Sequence, residues 1–446
     1  MKLEGKYRKL VDYVFWITFI VFTNPGGILE AFGEDSGSGG VNATDFLFVI
    51  LIGCFLVTFK KTDREKDVTF NKTKKYLFIF LAYFVIVFGF FVPIFRDSQE
   101  YTPVFFIIKN RMAFMNITLF VLIYKFYLRS YPIFYKIFIY SSIIIIPLFI
   151  ISIVTGLDIL PVLDFRRNFT TLQRKFMVDY GLMPLLIPMG IIMLIFKFGI
   201  KYKKHIIAGF ILLFLSYILS ITRRYIFGTF IVLILGLIFN SYVLRKPLFS
   251  LKGLIKASMF SIVIFYGFYF SFPKYVDAGV LAFNETVHVI RYGETSSGQK
   301  DERLGFKRTF IVNLIKKYPY FGTGFDNRWR TAEGDIQGYE AADYPLLGAT
   351  AMMGFFGLLV FLPIYIILVR TLYCDIKFLR RYKYDYHSFE HYILISFILF
   401  FIYDLMKYID WFYGVAKSSD NVWYFMLTLY LASRKVFYSN NVLTQR

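Results

Sequence analysis

The chain has 446 residues, of which 57% are hydrophobic and only 18% carry a charge. Because soluble domains have about 25% charged residues, this deficit argues against an ordinary soluble enzyme and favours an integral membrane protein. The net charge of +21 would suggest nucleic acid as the partner of a soluble chain. Lys and Arg also accumulate in the cytoplasmic loops of membrane proteins, so we expect no nucleic-acid partner here.

Long apolar segments recur along the whole sequence. Runs of about 17–25 apolar residues can cross a bilayer as helices, so we predict an all-α integral membrane protein with about 12 transmembrane helices. The first run ends without a small-residue cleavage site, and we expect it to remain as a helix rather than be removed as a signal peptide. The predicted spans lie near residues 10–23, 44–59, 76–95, 112–128, 137–155, 180–200, 206–222, 225–243, 257–273, 346–369, 390–406 and 421–433.

One polar segment interrupts this pattern between the ninth and tenth spans. It covers residues 274–345 and contains ten Lys or Arg residues. We therefore divide the chain into spans one to nine at 1–273, a large loop containing short helices at 274–345, and spans ten to twelve at 346–446. A membrane protein that keeps this many polar residues together is expected to use them in binding or catalysis.

The distribution of positive charge predicts the orientation of the spans. With the N-terminus inside, the inner segments contain 30 Lys and Arg residues, and the outer segments other than the long loop contain 11. Long translocated loops have little influence on orientation, whereas positive charge in short loops favours the cytoplasmic side. We therefore predict that both termini are cytoplasmic and that the long loop lies on the outer side.

The predicted outer face contains more arginine than this orientation requires. A guanidinium group offers planar, bidentate donors that suit phosphate. Taken singly, each arginine fits a lipid headgroup anchor, but as a set they predict an anionic substrate on the outer side. The arginines concerned are Arg96, Arg111, Arg166, Arg167, Arg174, Arg223, Arg224, Arg303 and Arg308.

The first candidate motif is Ser220–Ile221–Thr222–Arg223–Arg224, between the seventh and eighth spans. The turn is too short to form a domain, so the flanking helices would hold both arginines at the outer membrane edge. Ionisable residues at such a depth are functional candidates. The alternative is an ordinary helix hairpin whose arginines extend towards water.

The second motif begins at Arg303 and leads into a predicted helix up to Tyr318. Phe306, Phe310 and Leu314 recur every four residues and form one apolar stripe, and Pro319 follows as a helix stop. The pattern fits an interfacial helix on the outer leaflet. It equally fits an ordinary packed helix within the loop.

The third motif is Asp343–Tyr344–Pro345, followed in the tenth span by Gly354–Phe355–Phe356–Gly357. A carboxylate at the point where a polar loop enters the membrane can be partly desolvated, which makes it a better base. The alternative is a negative charge that interacts favourably with the dipole at a helix N-terminus.

The order and spacing of these motifs resemble the bacterial family of O-antigen polymerases and O-antigen ligases. That family has about twelve membrane helices and one large periplasmic loop before the last few spans. Its Ser-x-Ser-Arg-type turn corresponds to Ser220–Arg223. Its loop motif, an Arg before an amphipathic helix that ends in Pro-x-x-Gly-x-Gly, corresponds to Arg303 and Pro319–Gly324. The resemblance covers residues 206–368.

One position departs from the family pattern. The family has a His-Asn pair eleven residues before a Gly-x-x-Gly, and counting back from Gly354 gives Asp343, with Tyr344 in the Asn position. In the ligases that histidine is thought to assist the acceptor hydroxyl. Its absence therefore favours a polymerase over a ligase.

The resemblance implies a polyprenyl-diphosphate-dependent glycosyltransferase of the bacterial inner membrane. It would polymerise undecaprenyl-diphosphate-linked repeat units into a surface polysaccharide at the periplasmic face. Fixed guanidinium groups would stabilise the charge that builds on the departing diphosphate, and Arg223 and Arg303 are the predicted residues for this role. Asp343 would accept the proton of the acceptor hydroxyl, with Glu340 as the substitute candidate.

The remaining assignments complete this hypothesis. No cluster of Asp and His suggests a metal, so we expect neither a metal nor another cofactor. The expected partners are the lipid-linked glycan and membrane lipid, and a chain-length regulator is a plausible third. The predicted substrate-binding residues are Arg166, Arg167, Arg224, Arg308, Glu340 and Tyr344.

Two alternative functions follow from the same sequence. A ligase would transfer finished glycan onto lipid A core or protein. A transporter for lipid-linked sugars would require charged residues in the middle of several spans. The few candidates, Lys197, Asp404 and Lys407, all lie near predicted span ends, which makes transport the weaker alternative.

Overall fold

A computed structural model of the chain describes fourteen continuous segments and scattered residues between positions 266 and 291. All structural statements below concern these residues. The segments are 5–29, 42–59, 67–92, 111–157, 159–160, 162–165, 174–177, 180–196, 202–220, 223–243, 306–323, 345–381, 388–406 and 422–443.

The described part of the chain is almost entirely helical. Its helices are α1 (Gly5–Phe22), α2 (Ala43–Thr58), α3 (Val68–Tyr83, continued by a π-helix over Phe84–Phe91), α4 (Arg111–Thr155), α5 (Leu186–Phe196), α6 (Lys203–Leu219), α7 (Arg223–Tyr242), α8 (Phe306–Lys317), α9 (Pro345–Arg381), α10 (Phe389–Met406) and α11 (Val422–Leu443). Short 3₁₀ turns occupy Pro25–Gly27 and Met183–Leu185. Every predicted span except 257–273, most of which lies outside the described residues, overlaps one of these helices at least in part.

Several of these helices have the length and composition of membrane spans. Four stretches are long and apolar enough to cross a bilayer, at Val68–Phe91, Phe114–Thr155, Tyr225–Tyr242 and Leu346–Arg381, and shorter apolar helices occupy Ala43–Thr58 and Met183–Ile195. On α9, exposed apolar side chains follow one face from Phe355 to Tyr373. At 1.5 Å per residue this stripe is about 27 Å long, close to the ~30 Å hydrocarbon core of a bilayer. These features are consistent with a membrane protein.

The structure joins two predicted spans into one broken helix. The spans near 112–128 and 137–155 both belong to α4, which departs from helical geometry at Ser130 (φ −141°, ψ 29°). Pro132 lies two residues later and cannot donate a helical hydrogen bond. The indole Nε1–H of Trp16 donates to Ser130 Oγ at 2.9 Å, and that hydroxyl donates to the Phe126 carbonyl at 2.9 Å. Contacts from α1 therefore stabilise the break.

A short β-hairpin is the one departure from the all-α prediction within the described residues. Strand β1 (Val162–Phe165) pairs antiparallel with β2 (Arg174–Met177), with Val162 opposite Met177 and Phe165 opposite Arg174. Strands of four residues are too short to produce a recognisable alternation in a sequence dominated by helical apolar runs. The intervening positions 166–173, which include Arg166 and Arg167, lie outside the described residues.

The interior of the bundle is formed largely by α5, α10 and α11. Most side chains of these helices are buried on all faces, as expected for helices that are apolar all round. Helix α11 packs against α4 and α10, and α10 also packs against α5 and α7. The helices around them, such as α7 and α9, keep one exposed apolar face.

A buried carboxylate joins α9 to α11. Asp375 is fully buried and accepts hydrogen bonds from Tyr430 Oη at 2.7 Å, Arg434 Nε at 2.8 Å and Tyr438 Oη at 2.8 Å. Three donors from one helix satisfy a charge that would otherwise be costly to bury. Asp375 lies in the part of α9 that continues to Arg381, beyond residue 369 where the predicted span ends.

Candidate functional site

The predicted arginine turn lies between two helices, as the sequence indicates. Helix α6 ends at Leu219, Ser220 caps it, and α7 begins at Arg223. Ser220 is buried, and its Oγ donates to the Tyr217 carbonyl at 3.2 Å. Arg223 and Arg224 therefore occupy the first turn of α7. Their side chains lie outside the described part of the structure.

Three tyrosine rings meet beside this turn. Tyr225 stacks on Tyr217 with centroids 4.8 Å apart, and Tyr180 meets both rings edge-on at 5.2 Å. Tyr180 precedes the 3₁₀ turn before α5, Tyr217 belongs to the last turn of α6, and Tyr225 belongs to the first turn of α7. We call these residues the tyrosine cluster. It joins the segment before α5, the end of α6 and the start of α7, where the two arginines lie in the sequence.

The amphipathic helix predicted after Arg303 is present as α8. Ile311 and Leu314 are buried, Phe310 and Ile315 are half-buried, and Lys316 and Lys317 are exposed. The helix ends at Lys317, one residue before the predicted end, and packs against α9. These contacts support the packed-helix interpretation, and the interfacial position stays a prediction.

The segment after α8 binds the backbone of α9 at a break in that helix. Gly354 has φ 67° and ψ 178°, so α9 loses its helical hydrogen bonds there. Phe355 N–H donates to the Pro319 carbonyl at 2.8 Å and Phe356 N–H to the Tyr320 carbonyl at 3.1 Å, while Thr323 N–H donates to the Ala351 carbonyl at 2.7 Å. These three bonds replace those lost at the break, which matters because unpaired buried backbone groups are costly. We call this contact the glycine junction.

Two glycines allow the chains to approach this closely. A Cβ at Gly322 would lie 2.3 Å from the Met352 carbonyl oxygen, and a Cβ at Gly354 would lie 2.2 Å from the Tyr320 carbonyl oxygen. Both residues also have positive φ, at 65° and 67°. The obstructing atoms belong to the backbone and cannot rotate away, so the junction requires glycine at both positions.

Aromatic side chains from α3 surround the glycine junction. Tyr83 Oη donates to the Met353 carbonyl at 3.1 Å, next to the break. Within the π-helix, Phe91 packs on Phe321 at 4.8 Å, and Phe321 packs on Phe356 at 5.3 Å. π-Helical segments are rare and frequently occur at functional sites. The junction therefore unites the π-helix, the end of α8 and the broken α9.

The sequence motifs and the structure overlap in part. The structure brings together Pro319–Thr323 and Gly354–Phe356, two segments singled out from sequence only as separate motifs. It places Arg223 and Arg224 in the first turn of α7 and Arg308 in the first turn of α8, and the side chains of all three lie outside the described part of the structure. The other predicted site residues lie outside the described residues: Arg166, Arg167, Arg303, Glu340, Asp343 and Tyr344.

Sequence reasoning missed the tyrosine cluster and Tyr83. Tyrosine is so frequent in this chain, at 35 residues, that no single one attracts notice. The only sequence signal for these residues is their position: Tyr217 lies three residues before Ser220, and Tyr225 directly follows the two arginines. Among the residues with described side chains, no group of three or more His, Cys, Asp or Glu could hold a metal ion.

Comparison with known proteins adds no relative. The sequence matches no protein-family profile and no curated protein.

Proposed function

We propose that the chain is a polyprenyl-diphosphate-dependent glycosyltransferase that polymerises lipid-linked oligosaccharide repeat units. It would cross the bacterial inner membrane about twelve times, with both termini cytoplasmic and the 274–345 loop periplasmic. The glycine junction is the observation that carries the proposal. It joins Pro319–Thr323, which follows α8 within the loop, to the broken helix at Gly354, and both segments carry motifs that resemble those of the O-antigen polymerase and ligase family.

The proposed reaction transfers a growing glycan between two lipid carriers. A hydroxyl oxygen of the acceptor repeat unit attacks the anomeric carbon of the donor glycan and forms the new glycosidic bond. The bond between that carbon and the diphosphate oxygen breaks, and its electron pair leaves with the lipid diphosphate. Asp343, with Glu340 as the substitute, takes the proton of the attacking hydroxyl.

The position of the arginine turn supports diphosphate binding. Two cations in the first turn of a helix are destabilised by its dipole. A bound anion reverses this effect, because free N–H groups at a helix N-terminus and guanidinium groups both favour phosphate. Arg223 and Arg224 at the start of α7, with Arg303 and Arg308 near the start of α8, would stabilise the departing diphosphate. Arg166, Arg167 and Tyr344 would contribute to glycan-lipid binding.

The arginine turn provides the first test. In a deletion strain complemented with Arg223→Ala, we expect polymer formation to fall by about 10²–10³-fold, the usual effect of losing one preorganised charge-stabilising donor. Arg223→Lys should restore little of the polymer formation, because lysine lacks the bidentate geometry of arginine. The measurement is the glycan ladder on a gel, normalised to the amount of folded protein.

Arg380 supplies the matched control for that experiment. It lies on α9 beside the opposite end of α7, where its Nη1 donates to Tyr242 Oη at 2.6 Å and its guanidinium stacks on the same ring. Arg380→Ala should leave the ladder unchanged. A normal ladder from either Arg223→Ala or Arg303→Ala would contradict the proposed function.

Asp343 provides the second test and separates a polymerase from a ligase. Complementation with Asp343→Ala should leave single repeat units capped onto the acceptor, because polymerisation stops while ligation by another enzyme continues. The product size is read from the same glycan profile, and Asp343→Glu should retain part of the polymer. Full-length polymer stranded on the lipid carrier would instead identify a ligase, and the missing histidine would then not distinguish the two activities.

A further inference from the structure

The tyrosine cluster has a specific consequence for the arginine turn. We propose that Tyr225 is a positioning residue, whose ring fixes the orientation of the first turn of α7 and thereby directs Arg223 at the donor diphosphate. This inference rests on the proposed function. It adds a residue that acts through Arg223 and does not itself touch the substrate.

The ring of Tyr225 is held from two directions. Tyr217 lies nearly parallel to it, at an interplanar angle of 19°, and Tyr180 meets it edge-on at 63°. Tyr217 is fully buried and Tyr180 is largely buried, so neither ring has room to move away. Offset-stacked and edge-to-face contacts are the preferred arrangements of aromatic pairs. The first turn of α7 is therefore fixed against α6 and the residues before α5.

A second contact, one turn further along α7, restricts the same rotation. A Cβ at Gly228 would lie 1.8 Å from Tyr403 Oη, so the Tyr403 side chain of α10 packs directly against α7 at this glycine. Residues three apart lie on the same helix face, so Tyr225 and Gly228 both face the bundle. Rotation of α7 about its axis would separate the rings at one position and force a clash at the other.

Such positioning affects catalysis more than binding. Long-range attraction between the arginines and a diphosphate depends only weakly on their orientation. Stabilisation of the departing oxygen requires aligned hydrogen bonds, and a displacement of about 1 Å can lower the rate by about 100-fold. Loss of the Tyr225 ring should therefore reduce kcat and leave KM nearly unchanged.

The test compares Tyr225→Ala with Tyr225→Phe in the purified full chain. Initial rates are measured with lipid-linked oligosaccharide isolated from a strain that lacks this chain. We expect Tyr225→Ala to lower kcat by about 100-fold with KM changed less than about threefold, and Tyr225→Phe to retain most of the activity. Equal losses in both variants would assign the effect to the hydroxyl group and overturn the inference.

Phe230→Ala is the matched control. Phe230 lies on α7, and its ring centroid is 6.2 Å from that of Phe214 on α6. Its removal therefore also deletes an aromatic contact between these two helices, at a position further along α7 from the arginines. An equal fall in kcat in Phe230→Ala would mean that Tyr225 acts only through general stability. If Tyr225→Ala fails to fold, Gly228→Ala takes its place, because its Cβ would overlap the Tyr403 hydroxyl and disturb the contact between α7 and α10, and it should show the same kcat-selective loss.

The Arg223→Ala variant separates this inference from the proposed function. If Arg223→Ala has normal activity, the proposed function itself fails. If Arg223→Ala is inactive while both Tyr225→Ala and Gly228→Ala have normal kcat, only the positioning role fails.

Discussion

Replacement of Gly354 with alanine is expected to open the glycine junction and destabilise the protein. The backbone there, at φ 67° and ψ 178°, lies in a region that is essentially restricted to glycine, and another residue is strained by about 1–3 kcal/mol. A Cβ would in addition lie 2.2–2.5 Å from three backbone atoms of Tyr320 and Gly322. Overpacking of this kind costs a further ~1–3 kcal/mol.

Amide hydrogen exchange measures this effect at the junction itself. In Gly354→Ala, exchange should accelerate in the peptides containing Thr323, Phe355 and Phe356, whose N–H groups bond across the junction. Gly156→Ala is the matched control, since Gly156 also has positive φ, at 74°, but a Cβ at this position would meet no atom within 4 Å. Unchanged exchange at the junction in Gly354→Ala would show that the two segments do not depend on each other.

Replacement of Asp375 with alanine is expected to have a similarly large effect on stability. Removing one member of a buried ion pair costs about 3–5 kcal/mol, because the partner charge stays buried. The Arg434 side chain is 22% exposed, so solvent offsets part of this loss and the lower end of that range applies. The loss is measured as the change in unfolding free energy in detergent.

Two further variants identify the origin of that effect. Tyr438→Phe removes a single hydrogen bond to the carboxylate and should lower the free energy of unfolding by at most about 3 kcal/mol. Arg434→Met in the Asp375→Ala background should recover part of the stability, because it removes the uncompensated charge. Additive losses in the double variant would mean that Asp375 and Arg434 do not stabilise each other.

The helices were largely predictable because each needs only local information. Apolar runs of bilayer length identify α1 to α7 and α9 to α11, and the stripe around Leu314 identifies α8. The ends were less predictable where distant residues determine them. The part of α9 beyond residue 369 packs on α11 through Tyr430, Arg434 and Tyr438, which satisfy Asp375 from more than fifty positions away. The pattern of a short stretch of sequence cannot reveal contact residues that lie so far away along the chain.

The candidate site shows the same division. The arginine turn follows from two adjacent apolar runs, and its place between α6 and α7 was predicted. The break at Gly354 was not, because Gly-x-x-Gly is common within membrane helices. The break is stabilised by the carbonyls of Pro319 and Tyr320, which accept from Phe355 and Phe356, each 36 positions later in the sequence. The catalytic roles of Arg223, Arg303 and Asp343 stay predictions, which the glycan profiles test directly.

The central place of α10 and α11 has a consequence for biosynthesis. These helices come last among the described elements, yet they fill the interior between helices that leave the ribosome earlier. Until residues 389–443 have been synthesised, the surfaces of α4, α5 and α7 that contact α10 or α11 in the finished protein lack those partners. Contacts among α4, α5, α6 and α7 can form earlier, but packing of the interior is completed only when α10 and α11 have been made.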